Sequence, residues 1–478
     1  MSLRNAPQPA NAVDKMPTGI EGFDAITFGG LPRRRVTLVV GESGSGKTVF
    51  ALQTLVNGAS QWDEPGIFVA FEEQSQQLIE NAATFGWDLL ALEREKLFFL
   101  NARLSPDMIQ TGDFDLIGML ATLQAKVAEL GARRIVFDSL DVLLNLLNDP
   151  VAERQEVYRV LDWLQTSGLS GIITSRILHE RIFPYEFLQF ASDCVVQLHQ
   201  RVYEQVAIRE VRVLKYRGSA FAPNEFPMDI GQTGIDIVGI SPSSPEPVAL
   251  LERVSSGVAR LDTMLNGGYY RGNSVLITGA PGTSKSTLSG AFSEAACQRG
   301  ERALYVGFDE GGSEIVRNLR SVGVNLQPHI DAGLLRLYSG DTIATNSVKH
   351  LIAVRDLLYE FKPACLVIDP LSAFVKTGEP FMAERMGLWL LRLAKSEGIT
   401  VVCTSLLEGS DAEAEGTSIR VSTIADTWIH LSYVVRGGER NRALTIVKSR
   451  GTGHTNQVRE LILSDDGITL TDVYAVGR

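Results

Sequence analysis

Lys47 and Thr48 carry the chemistry most readily legible in this chain. They close Gly41-Glu42-Ser43-Gly44-Ser45-Gly46-Lys47-Thr48, which fits the spacing G-x-x-x-x-G-K-[ST] at every fixed position. Such a stretch cradles phosphate. Gly41, Gly44 and Gly46 let the backbone curl so that its N–H groups, those of Ser43 and Ser45 included, point inward, and the helix that follows adds positive potential. Lys47 is then placed to reach the β- and γ-phosphates of a nucleotide, and the Thr48 hydroxyl to ligate Mg²⁺. The flanks separate this stretch from a chance Gly/Ser-rich turn: a β-type run, Val36-Thr37-Leu38-Val39-Val40, precedes it and a helical pattern, Val49 to Leu55, follows.

Glu72 and Glu73 directly follow the apolar run Ile67-Phe68-Val69-Ala70-Phe71. In an open parallel sheet the carboxyl ends of the strands face the ligand crevice, so a carboxylate there can orient and deprotonate an attacking water. The plainer reading is a solvated acidic turn. Arg134-Ile135-Val136-Phe137-Asp138 is an apolar run ending in Asp, the Walker B form, and Asp138 is expected to hold Mg²⁺ directly or through water. Lys215 and Arg217 flank one residue and so share a strand face. They read either as a basic strand end or as phosphate-facing cations, the latter on a neighbouring subunit's nucleotide. Arg33-Arg34-Arg35 reads as a solvated turn.

The same chemistry then recurs. Gly279-Ala280-Pro281-Gly282-Thr283-Ser284-Lys285-Ser286 repeats the phosphate loop at an offset of 238, and Asp309-Glu310, Asp369 and Lys448-Ser449-Arg450-Gly451 repeat the later features. Gly279, Gly282, Thr283, Ser284 and Lys285 are the second set of expected nucleotide contacts; Ser286 and Asp369 are the second expected Mg²⁺ ligands. Thr18 to Asp24 also returns, as Ser256 to Asp262. A period this long means a duplicated domain. The copies differ in places that matter. Ser284 stands where Gly46 does, and its Cβ either crowds the phosphate site or demands a less strained φ. Asp309 is one methylene shorter than Glu72, so a base there reaches less far. With Asp193 and Asp426 matched, Ser422 and Thr423 stand where the first copy has Gln189 and Phe190. Hydroxyls can accept a phosphoryl group and those two cannot, although strand-edge Ser/Thr is the commoner reason for such a pair.

The elements that must position these residues are strands and helices in alternation. Ile67–Phe71, Ile135–Asp138 and Gly171–Thr174 read as buried strands and Leu116–Leu130 as a crossover helix, which predicts an α/β fold with a mostly parallel sheet and flanking helices. Arg209–Lys215 and Arg442–Lys448 read as antiparallel strands added at the sheet edge. The expected domains are 1–240 and 249–478, joined by a Pro/Ser-rich linker at 241–248.

Composition narrows the function. The 478 residues are 45% hydrophobic and 21% charged, which is globular, and the formal net charge of −11 argues against non-specific binding to nucleic acid or anionic membrane. No signal peptide or membrane-length apolar run is present. The four cysteines, Cys194, Cys297, Cys365 and Cys403, form no C-x-x-C pair and read as buried thiols suited to a reducing cytoplasm.

Phe71-Glu72-Glu73, Asn81 to Leu89, Ser422 to Thr427 and Lys448 to Gly451 together resemble the KaiC family, the double-domain ATPases and autokinases of the cyanobacterial circadian clock and their wider bacterial relatives. The resemblance covers nearly the whole chain. It implies two RecA-like P-loop NTPase domains stacked as a double ring, six subunits with ATP and Mg²⁺ between protomers. It assigns Glu72 and Glu73 to a slow ATPase in the first ring, Ser422 and Thr423 to phosphoacceptors in the second, and Asp309 and Glu310 to the carboxylates that deprotonate them. Lys215, Arg217, Lys448 and Arg450 would act on the adjacent protomer's nucleotide, and His454 and Thr417 would sit near nucleotide and acceptors. The stretch Ser105–Leu116 resembles the face used by a KaiB-type partner. The chain stops at Arg478, short of the tail that family members offer to a KaiA-type activator, so that partner is unsupported.

Two other readings compete. A nucleotide-gated scaffold would hydrolyse in the first ring and only bind in the second, as Ser284 and Asp309 suggest. A RecA-like DNA-dependent ATPase would need basic loops and a DNA-binding module, and neither is present in this acidic chain.

Overall fold

The computed structural model describes residues 13–102, 116–147, 149–176, 183–203, 206–239, 250–308, 310–340, 347–373, 380–406, 425–436, 438–465 and 467–472. Asp309, Thr417, Ser422, Thr423, the stretch 105–115 and the linker 241–248 lie outside the described residues. The chain divides into two compact units, Met1–Val202 with Ala207–Pro242, and Ser243–Arg478 with the short segment Tyr203–Val206.

The first unit is built on nine strands: β1 (Val36–Gly41), β2 (Gly66–Ala70), β3 (Leu97–Asn101), β4 (Arg134–Asp138), β5 (Ser170–Arg176), β6 (Cys194–Tyr203), β7 (Val206–Tyr216), β8 (Glu225–Gly231) and β9 (Gly234–Ile237). Their order across the sheet is β9-β8-β7-β6-β1-β5-β4-β2-β3. From β6 to β3 every pairing is parallel, and β7-β8-β9 extend the sheet antiparallel. The second unit repeats the plan with β10 (Ser274–Gly279), β11 (Ala303–Gly307), β12 (Leu335–Ser339), β13 (Cys365–Asp369), β14 (Thr400–Leu406), β15 (Thr427–Arg436), β16 (Glu439–Ser449), β17 (Arg459–Ser464) and β18 (Gly467–Asp472). Its order, β18-β17-β16-β15-β10-β14-β13-β11-β12, matches strand for strand. These are two mostly parallel sheets flanked by helices, the tandem RecA-like P-loop NTPase architecture expected from the sequence.

The central strands are apolar throughout because both of their faces are covered. Alternate side chains enter opposite layers. Val39, Phe68 and Val136 pack with Phe50 and Leu55 of helix α1 (Lys47–Gln61), whereas Leu38, Val40, Ile67, Val69 and Phe137 pack with Leu120, Leu144 and Leu164 from the helices on the other side. Each fully buried Val, Leu or Phe contributes about 1.5–3 kcal/mol. Helix α2 (Lys285–Gln298) plays the part of α1 in the second unit, through Leu288 and Phe292. All four cysteines are buried, and burial pushes the thiols of Cys194, Cys365 and Cys403 up to about 12, which leaves them inert.

Parallel register lines up the strand ends. Gly41 pairs with Arg176 and Ala70 with Asp138; in the second unit Gly279 pairs with Leu406 and Gly307 with Asp369. The phosphate loop, the residues after β2 or β11, and the Walker aspartate therefore emerge along one edge of each sheet.

The arginine turn differs from the expected solvated one. Arg33 pairs with Glu64 at 2.6 Å, and its counterpart Arg271 with Glu301 at 2.6 Å. Each turn is thereby tied to the start of its second core strand.

Candidate nucleotide sites

In the first unit β1 delivers the chain into the loop, and Gly44 and Gly46 turn it with φ of 78° and 99°, values that favour glycine. A Cβ on Gly46 would stand 2.7 Å from Ile230 Cδ1, a side-chain tip that can give way, so the positive φ is what favours glycine there. Ser45 Oγ donates to the Glu42 carbonyl at 2.8 Å. Lys47 folds back and donates to the Gly41 and Glu42 carbonyls at 3.0 and 2.8 Å, which keeps the nearly buried ammonium over the loop. Burial lowers its pKa, against the pull of Asp141 and Asp138.

Thr48, at the start of α1, donates to the Asp138 carboxylate, 3.1 Å from Oδ2 and 3.3 Å from Oδ1. Thr174 of β5 donates to Oδ1 at 2.7 Å. Asp138 is only 4% exposed, and burial pushes its carboxyl up to about 6, with the two threonine hydroxyls holding it lower than burial alone would. A hydroxyl and a carboxylate side by side are the hard oxygen donors that suit Mg²⁺. Glu72 and Glu73 are both exposed just past β2. Glu72 forms an ion pair with Arg176, the last residue of β5.

The second unit repeats the frame with altered fittings. Ser284 keeps the left-handed conformation of Gly46, at φ 82° and ψ 29°. The less strained φ open from the sequence is not taken: the loop has kept its shape and accepted a non-glycine residue at positive φ, at about 1–2 kcal/mol. Lys285 donates to the Gly279 and Ala280 carbonyls at 2.8 and 2.9 Å, and Thr283 to Ala280 at 2.7 Å. Asp369 accepts from Thr404 and, at 2.6 Å, from the Tyr305 hydroxyl. The first unit has Phe68 where Tyr305 stands, since each occupies the third position of its strand and both strands pair in the same register. Glu310 accepts from Asn318 at 3.1 Å. A cavity of about 470 Å³ is lined by Ser284, Lys285, Ser286, Glu310 and Asp369 together with the apolar Ile315, Leu319, Val322 and Leu463. Cationic and hydroxyl groups beside an apolar wall suit a ligand with phosphates and a flat base.

The basic pairs lie elsewhere. Lys215 donates to the Gln189 and Phe190 carbonyls at 2.8 and 2.9 Å, and Arg217 to Phe190 at 2.7 Å. They sit at the end of the helix before β6, on residues that match Ser422 and Thr423 of the second unit, and not on their own unit's loop. Burial lowers the pKa of Lys215 and of Lys448, with the neighbouring Arg217 and Arg450 acting in the same direction. His454 is half-buried, its Nδ1 3.3 Å from the Thr455 carbonyl.

Sequence reading missed Thr174, Thr404, Tyr305 and Arg176. It also missed Arg209 and Arg442, whose Nε atoms donate to the Gly44 and Gly282 carbonyls at 3.4 and 3.0 Å. The repeat could have exposed the last two. They share the offset of 233 that relates Lys215 to Lys448.

Comparison with known proteins follows the same boundaries. The family model described as "ATPase: KaiC" matches residues 16–241 and again 254–473. The chain is 39% identical over 464 residues to "Circadian clock protein KaiC2" of Synechocystis sp. (strain ATCC 27184 / PCC 6803 / Kazusa), covering 96% of this chain and 82% of that protein. It is 34% identical over 467 residues to "Circadian clock oscillator protein KaiC" of Prochlorococcus marinus (strain MIT 9313), covering 97% and 94%. The protein of that name from Thermosynechococcus vestitus (strain NIES-2133 / IAM M-273 / BP-1) is 35% identical over 471 residues, covering 98% and 91%.

Proposed function

The chain belongs to the KaiC family of ATPases, and on that premise we propose that its first domain, 1–240, binds and hydrolyses Mg-ATP while its second, 249–478, binds ATP and transfers a phosphoryl group to its own Ser422 and Thr423, within a homohexameric timing or signalling assembly. The observation that carries the nucleotide reading is the Thr48–Asp138 pair beside Lys47. It sets a loop cation, a hydroxyl and a buried carboxylate where a triphosphate and its metal need them.

In this reading the loop N–H groups and Lys47 bind the phosphates, Thr48 and Asp138 hold the Mg²⁺, and Glu72 or Glu73 orients the attacking water. Mg²⁺ would supply charge neutralisation between the outer phosphates. Asp369 and Ser286 hold the second metal; Asp309 or Glu310 takes the acceptor's proton. The hexamer is supported by the family; Lys215 and Arg217, which bond helix-end carbonyls and not their own loop, are assigned to a neighbour's nucleotide on the same ground. A KaiB-type partner remains part of the proposal only through the family.

A second reading has its own support: the second domain holds ATP without turning it over. Ser284 in the left-handed region favours it, as does Leu406 standing where the first site has Arg176. Intact-mass measurement after incubation with Mg-ATP separates the two. The phosphotransfer reading expects added phosphate that disappears in Ser422→Ala/Thr423→Ala. Unmodified protein alone leaves the holding reading, and label that survives the double substitution defeats the acceptor assignment.

A further inference from the structure

We propose that Arg176 senses the γ-phosphate of the first site in cis, and that Glu72 holds it in reserve until a nucleoside triphosphate enters. The inference rests on the reading that the first domain binds ATP. Arg176 ends β5 directly beside Gly41, the residue that opens the phosphate loop. Its backbone N–H is anchored to Asp141 Oδ1 at 3.3 Å, and its guanidinium pairs with Glu72. Two residues earlier on the same strand, Thr174 grips Asp138. Arg176, Glu72, Asp138 and Asp141 all act electrostatically on Lys47, which confines them to one cluster.

The second unit independently says what this position faces. Leu406 occupies it, paired with Gly279, and lines the cavity that holds Lys285, Ser286 and Asp369. The place at the end of β14 thus looks onto the phosphate side of the loop, and the first unit puts a guanidinium there. A planar, always-charged guanidinium can take phosphate oxygens in a bidentate fork, and the partner it would give up is one carboxylate of an exposed pair. A third phosphate would draw Arg176 away from Glu72. That single exchange neutralises added negative charge and leaves the Glu72 carboxylate unpaired for water. A diphosphate, lacking the terminal group, leaves the ion pair closed. The second unit, with leucine, has no such exchange.

The test is equilibrium binding of ADP and of a non-hydrolysable ATP analogue, with Mg²⁺, to the full chain carrying Lys285→Ala so that only the first site reports. Arg176→Gln is expected to weaken the triphosphate about tenfold while leaving ADP within about twofold, the loss of one charge-assisted contact. Arg176→Lys should recover part of the difference. Glu72→Gln, which opens the ion pair without touching the arginine, is expected to tighten the triphosphate about threefold and leave ADP unchanged. Equal weakening of both nucleotides by Arg176→Gln, or no change in their ratio, overturns the proposal. So does a Glu72→Gln chain with unaltered triphosphate affinity. A Lys285→Ala chain that binds neither nucleotide would instead defeat the nucleotide reading of the first domain itself, and this inference with it.

Discussion

The Tyr305 hydroxyl donates to Asp369 Oδ2 at 2.6 Å, while the matching strand position of the first unit holds Phe68. Tyr305 is only 1% exposed, so the bond is shielded from competing water. Both aspartates accept from a strand threonine, Thr174 or Thr404; the second site adds Tyr305 from inside the sheet, and the first adds Thr48, itself an expected metal ligand. Groups that orient a metal's carboxylate typically matter by one to two orders of magnitude in metal affinity. Tyr305→Phe is expected to raise the Mg²⁺ concentration needed for nucleotide retention at the second site by about tenfold. It should leave the Mg²⁺ dependence of the first site alone. An unchanged Mg²⁺ midpoint would remove the positioning role.

Asp138 carries a stability cost that the proposed metal-holding role would account for. Burial raises its carboxyl from the ordinary 3.8 to about 6. The folded state then keeps a proton that the unfolded chain has already lost between about pH 4 and 6, so metal-free stability is highest below that window. It falls as pH rises through the folded value and stays low above it. A carboxyl displaced by about two pH units disfavours the charged form by about 3 kcal/mol. Asp138→Asn is expected to stabilise the metal- and nucleotide-free first unit at pH 8 by about 1–3 kcal/mol, with much less gain at pH 4, while ATP turnover collapses. Denaturant unfolding at the two pH values checks the sign. A variant less stable than the parent at pH 8 would contradict it.

Ser284 holds a conformation that glycine adopts without strain. Ser284→Gly should stabilise the nucleotide-free second unit by about 0.5–1 kcal/mol, the strain relieved less the entropy that glycine adds to the unfolded chain. A thermal transition of that unit moving downward would show that the serine side chain contributes more than its backbone costs.

Arg134 is fully buried and bonds Glu64, with Nε to Oε2 at 2.7 Å, and the Pro17 and Thr54 carbonyls at 3.0 and 2.8 Å. Arg134→Ala leaves a half-shielded carboxylate and two carbonyls short of a partner, and is expected to cost the first unit about 3–5 kcal/mol. Arg134→Met, which refills the volume, should cost distinctly less. The second unit has Cys365 at this position and its unfolding should not move. Equal losses for Ala and Met would mean that the lost charge pairing, and not the vacated volume, sets the cost.

The phosphate loops, the Walker aspartates and the central strands were legible in the sequence because each is set by local chemistry. Phosphate binding needs its glycines and lysine at fixed short spacing, and a strand buried on both faces needs an unbroken apolar run. The duplicated topology followed from the repeat. What could not be read were groups joined across strands. Arg176 meets Glu72, Thr174 meets Asp138 and Tyr305 meets Asp369 only through parallel register, which brings together residues from 36 to 104 positions apart. Arg33 looked like a solvated turn for the same reason. Its partner Glu64 lies 31 residues away, and nothing in the three consecutive arginines points to it.

The central claim is that the two copies of the loop are unequal, and steady-state ATP turnover of Lys47→Ala against Lys285→Ala tests it most directly. The account predicts that Lys47→Ala removes turnover by about a hundredfold or more, while Lys285→Ala leaves it within about threefold. Equal losses from the two substitutions, or a collapse caused by Lys285→Ala alone, would contradict it.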